Sequence, residues 1–178
     1  MRLTRLTALD GEAIFPLADI KFQAHITHSI EDATLAGFRD AAIAHIEHLS
    51  GFALAVAQFR WTIPAFRPRI ELPCGPVVSI DDVTYVDGAG AEQAYAGARV
   101  EDDAALPAFS EVWPAAYSQV SVTFTAGPPP SDKLAILLTA VAIQFQILND
   151  RGNSDLRAIE GMERALASLL RPIKPVMA

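Results

Sequence analysis

Cysteine is almost missing from this 178-residue chain. Cys74 stands alone, so an intrachain disulfide framework is excluded and an intracellular compartment fits. Positive charge is scarce as well: 14 Lys and Arg against 21 Asp and Glu give a formal net charge of -7 and a sequence pI near 5.0. Such a chain has no broad basic face with which to grip nucleic acid phosphates. Met1 to Phe15 carries two arginines but no apolar stretch and no cleavage pattern, which argues against a secretory signal. There is no phosphate-cradling glycine loop, no G-x-S-x-G elbow, no internal repeat and no low-complexity tract. The charge-free run from Leu134 to Leu148 is shorter than the ~18–20 residues of a bilayer span, and Gln144 and Gln146 interrupt it. No membrane partner is expected.

Aliphatic residues are plentiful, and hydrophobic residues make up 51% of the chain, enough for one real core. The length fits one domain, or one domain with an appendage. The stretch around which the rest is organised is Ser131 to Asn149. Pro128, Pro129 and Pro130 stop whatever precedes it, Ser131 is placed to cap the first amides, and Asp132 suits the positive end of the dipole. Leu134, Ile136, Leu137, Leu138, Val141, Ile143, Phe145, Ile147 and Leu148 cover more than one stripe of a helical wheel, so the helix is expected to be central and buried. Gly152 follows as a stop signal.

In chain order, Met1 to Phe15 reads as an arm of weak periodicity, and Pro16 opens a short helix over Leu17 to Ile26. Ser29 is expected to cap a longer helix, Ile30 to Leu49, with Asp32 as a short-armed capping-box partner. Leu35, Phe38, Ala42, Ile46 and Leu49 form its apolar stripe, and Gly51 ends it. The period then changes to two. Strands are expected at Val56 to Ile63, Arg69 to Leu72, Val77 to Val86 and Gln119 to Thr125, with Asp87 to Gly90 as a turn and Ala91 to Tyr95 as a returning arm. Ala98 to Val112, with the acidic triplet Glu101-Asp102-Asp103, is the least regular part. The expected architecture is α+β: a small helical bundle around a central apolar helix, with an inserted antiparallel β region, a C-terminal helix and a tail. Residues 1–152 would form the core, with helices in 16–50 and 131–149 and the β insertion in 52–127, and 153–178 the C-terminal element.

That C-terminal element carries an apolar stripe at Leu156, Ile159, Met162, Leu166, Leu169 and Leu170, followed by Arg171, Pro172, Lys174 and Pro175. Two readings are open: an element that docks on a partner, or a terminal helix packed on its own domain. Chemistry is thinly represented. His25 with His28 and His45 with His48 are spaced i, i+3, but no carboxylate or cysteine completes a metal site. Asp81 and Asp82 alternate on a strand and cannot share a proton, and Cys74 has no nearby base in sequence. Trp61 and Trp113 read as core or interface anchors. No catalytic residue, metal or cofactor is expected.

The ordered set of segments resembles the phage head–tail connector family (head-completion or adaptor proteins), whose relatives also occur in gene transfer agents. The pieces that carry the resemblance are spread along the chain. Leu17 to Lys21, His25-Ile26, Glu31-Asp32 and Ala41 to Gly51 are similar to the family's opening helices. Arg69 to Pro73, Pro76 to Ile80 and Val83 to Gly88 resemble its β insertion. Trp113-Pro114 and Val120 to Gly127 resemble its return strand, and Arg164 to Arg171 its C-terminal element. Ala98 to Val112 has no counterpart. The resemblance implies a non-enzymatic protein of the particle neck, assembled in the bacterial cytoplasm. About a dozen copies would form a ring under the portal protein, present a platform to a tail or stopper protein, and extend the channel through which DNA passes without specific binding. On this reading the docking residues for the portal would be Leu156, Ile159, Met162, Leu166, Leu169, Leu170, Arg171 and Lys174. Two alternatives from other classes are a small ligand-binding or enzymatic α+β domain using Trp61, Trp113 and Tyr85, and a helical interaction module that dimerises.

Overall fold

The computed structural model describes the chain except for residues 24, 28, 30, 110, 116–117, 151–155 and 174–178 and the side chain of Leu156. The fold is α+β, with helices and antiparallel sheets segregated into two compact units. One unit comprises Met1–Ala8 and Ala55–Pro128, the other Leu9–Leu54 and Pro129–Ala178.

The helical unit is built on α3 (Asp32–Ser50) and α4 (Ser131–Asp150), which pack on each other. Leu137, Val141 and Phe145 of α4 and Leu35 and Ile46 of α3 are fully buried in one core, with Phe38 and Leu49 partly buried against it, as the two stripes require. By length and composition alone α4 would suit a membrane span, yet Leu137, Ala140, Val141, Phe145 and Ile147 are buried inside this unit. α3 stops where expected: Gly51 adopts φ 71 and its N–H bonds to the Glu47 carbonyl, a conformation that favours glycine.

Helix starts depart from the sequence reading. Ser131 lies inside α4, and the Pro130 carbonyl accepts from Leu134 N–H, so the last proline supplies the first turn's acceptor. α3 begins at Asp32 after Glu31, which makes no side-chain cap, and Ser29 contributes its carbonyl to Asp32 N–H. The capping-box role expected of Asp32 gives way to an ion pair: its carboxylate binds Lys21 Nζ at 2.5 Å. The short helix α2 spans Leu17–Gln23, and His25 leaves it at φ 57. The N-terminal arm is also ordered. β1 (Arg2–Arg5) joins a sheet, and α1 (Gly11–Ile14) is capped by the Asp10 carboxylate on Ala13 N–H. Glu12 and Asp40 flank the buried Arg39 guanidinium, whose Nε lies 2.9 Å from Asp40.

The β unit contains an antiparallel five-stranded sheet in the order β1, β2 (Ala57–Ile63), β8 (Val120–Ala126), β4 (Val77–Val86), β5 (Glu92–Ala94). Phe59 pairs with Phe124, Trp61 with Val122 and Ile63 with Val120, so these six share a face. Phe59 and Phe124 stack at 5.7 Å. The opposite face is polar: Gln58, Arg60 and Thr62 lie beside Ser121, Thr123 and Thr125. Asp87 closes the β4–β5 turn by accepting from Ala89 and Ala91 N–H.

The stretch expected to be irregular is a second sheet, ordered β3 (Ile70–Glu71), β7 (Ala104–Leu106), β6 (Arg99–Glu101). The acidic triplet is its tight turn. Glu101 pairs with Ala104, leaving Asp102 and Asp103 as a two-residue loop at φ 47 and 58, the left-handed pair that a right-twisted hairpin demands. The loop is tied down: Asp103 accepts from Val77 N–H at 2.7 Å and from Leu72 N–H at 3.1 Å, and Arg69 Nη2 donates to the Asp102 carbonyl. A Cβ at Gly75 would lie 2.9 Å from the Asp103 carboxylate, so glycine there leaves that side chain its place against Val77 N–H.

Candidate partner-docking site

The C-terminal helix α5 (Leu156–Leu170) packs along α4 in the helical unit. Of the residues expected to dock on a partner, Leu166 and Leu170 are buried in the unit's own core, at 6% and 2% exposure, together with Ile173. Ile159, Met162 and Leu169 lie partly buried against the same core. Arg171 is exposed at the helix end. The Leu156 side chain and Lys174 lie outside the described residues. Leu166 and Leu170 thus point into the unit's own core, while Ile159, Met162 and Leu169 stay partly exposed.

Where α5 meets α3 and α4, an open groove of about 750 Å³ remains. Leu49, Ile147, Leu148, Leu166 and Leu170 make it apolar, and His45, Glu163 and Arg171 stand at its lining. Gln144, 8% exposed, is the buried polar residue of the lining. An open apolar groove with a few polar groups at its lining is the place in the unit best suited to receive something. Sequence reading noticed Gln144 only as an interruption of an apolar run. That interruption was the available signal.

In the β unit, Phe66 stacks on Trp113 at 4.7 Å, while Tyr85 and Tyr95 complete an aromatic cluster. Tyr95 donates to Glu111 and accepts from Ala108 N–H, so it fastens the 107–113 loop. Desolvation, with help from Glu111, raises the Tyr95 hydroxyl above its usual pKa. Trp113 is therefore an internal anchor of this unit, as its residue type led one to expect. Asp81 accepts from Gln58 at 2.9 Å, Ser79 at 2.7 Å and Thr125 at 2.8 Å on the polar sheet face. Desolvation pushes its carboxyl up, but these three bonds outweigh it and hold the carboxyl below the usual carboxylate range. Cys74 is buried, and among the described residues no group of three His, Cys, Asp or Glu is gathered to hold a metal.

Compared with protein-family models and with curated protein sequences, the chain matches none. Compared with solved structures, it matches along its whole length. A chain in the neck of an empty gene transfer agent particle, computed with C6 symmetry, superposes with a TM-score of 0.78 at 25% identity, covering 100% of this chain and 97% of the other. A chain in the virion of a native gene transfer agent particle gives 0.77 at 26% identity with the same coverage. One in the neck of a native particle, computed with C12 symmetry, gives 0.72 at 28%, again with the same coverage. These neighbours are components of structural particles.

Proposed function

We propose that this chain is a structural, non-enzymatic adaptor in the neck of a gene transfer agent or tailed phage particle. The observation that carries the reading is the whole-chain likeness to gene transfer agent neck components, which spans the helical and β units together. About a dozen copies form a ring that joins the portal to the tail or stopper protein and lengthens the DNA channel, and the C12 symmetry of one neighbouring neck supports the copy number. The net charge of -7 suits a conduit, because DNA slides best past a wall that does not hold its phosphates.

Portal docking belongs, on this reading, to the segment 153–178. Leu166 and Leu170 anchor α5 to its own unit, and the contact falls to the exposed end of the helix, Arg171 with the following Lys174. Two cations there meet acidic groups on the portal while the rest of the acidic chain stays clear of DNA. The test is deletion of the gene from particle-producing cells. Filled heads without tails are expected in electron micrographs, with tails restored when the intact gene is returned. Normal tailed particles from the deletion strain would overturn the proposal.

A further inference from the structure

The helical unit carries both a hole and a knob. The hole is the groove at the C-terminal half of α3, floored by Gln144 and walled by Leu148, Leu166 and Leu170. The knob is Phe22 on α2, 83% exposed, a large aromatic side chain held out on a helix with Lys21 fixed beside it by Asp32. An exposed phenylalanine on an ordered helix leaves apolar area in water and marks a contact surface. The two features cannot meet within one molecule. α2 is tied to Asp32 at the start of α3, whereas the groove uses Ala41, His45 and Leu49 further along it. Nine residues of helix, about 13 Å, separate Asp32 from Ala41.

We propose that the groove receives Phe22 of a second copy of this chain. Charge fits the same docking. Asp19 lies three residues before Phe22, on the same side of α2, and is exposed. The groove offers the Arg171 guanidinium as its counterpart, with Glu163 also in the lining. The knob and the hole are different surfaces of one unit, so the contact is head-to-tail. Such a contact repeats around a circle and closes by rotation, and one that pairs a patch with itself does not. The inference thus rests on the ring proposed above and names its contact between neighbours.

The test is cross-linking of the full-length chain with Cys74 replaced by Ala. Phe22→Cys and Ala167→Cys are made separately; both sites are exposed, and Ala167 lines the groove, so folding is preserved. The two proteins are mixed at about 1 mM, where even weak contacts are populated, and treated with a short thiol-to-thiol cross-linker. A covalent pair is expected in the mixture at about tenfold the yield from either protein alone, and the double variant should give a ladder of multimers. A mixture that cross-links no better than the single proteins overturns the contact. The ring itself is judged separately, by electron microscopy of wild-type necks. Annular necks without the 22–167 cross-link would leave the ring standing and place the contact elsewhere.

Discussion

Leu137→Ala tests the centre of the helical unit. Leu137 is fully buried between α3 and α4 in the unit's core. The substitution removes three carbon groups, and at about 0.8 kcal/mol each the transfer loss is about 2.4 kcal/mol. The neighbours, Val141 and Ile46 among them, are themselves fully buried and hold one another in place, so the site cannot collapse onto the gap. A residual cavity of about 50 Å³ adds about 1.2 kcal/mol, for a total near 3.6 kcal/mol. Urea unfolding followed by the helical circular dichroism signal reports this unit, since the helices lie in it. Val56→Ala, at a position 65% exposed, serves as control and should cost under about 0.5 kcal/mol. A Leu137→Ala loss as small as the control's would mean that α4 is not the core helix.

Three further outcomes are expected. Asp103→Ala loses both the bond to Val77 N–H and a residue tolerant of φ 58, so it should cost more than Asp103→Gly, by about 1 kcal/mol; the reverse order in denaturant midpoints would refute the turn. Asp81 has a folded-state pKa lowered below its unfolded value, so its stabilisation is complete above about pH 4 and is lost as pH falls through the folded value. Wild type should therefore lose its advantage over Asp81→Asn on acidification, and a pH-independent difference would contradict the assignment. Replacing Arg171 and Lys174 by Glu, which keeps the buried Ile173, should leave the helical unit folded but abolish attachment to portal-bearing heads. Unchanged attachment would move the portal contact to the β unit.

The parts of the fold that were legible share one property: their pattern is long or repeated. α4 declares itself because an apolar run bounded by three prolines admits only burial, and β8 because Val120, Val122 and Phe124 alternate with Ser121, Thr123 and Thr125. β1 escaped because Arg-Leu-Thr-Arg is four residues long and lies at a sheet edge, where one face needs no apolar partner. The β6–β7 hairpin escaped because its turn uses two aspartates in the left-handed region in place of the Asn-Gly or Asp-Gly signature. At the candidate docking site, the stripe of α5 was visible in the sequence but its direction was not. An apolar stripe suits a partner's surface and the chain's own core equally, and only the position of α4 decides that Leu166 and Leu170 turn inward.

The chain passes between its two units three times, after Ala8, Leu54 and Pro128. This threading sets an order of events on the ribosome. The β unit has all its strands once Ala126 has emerged, whereas α3 must wait for α4, whose first residue is Ser131. During that interval α3 has only α1 and α2 from its own unit, and the part of its apolar stripe that α4 will cover has no partner. Any delay between the emergence of Ala126 and that of Asp150 prolongs the exposure, which ends once α4 is free to pair with α3.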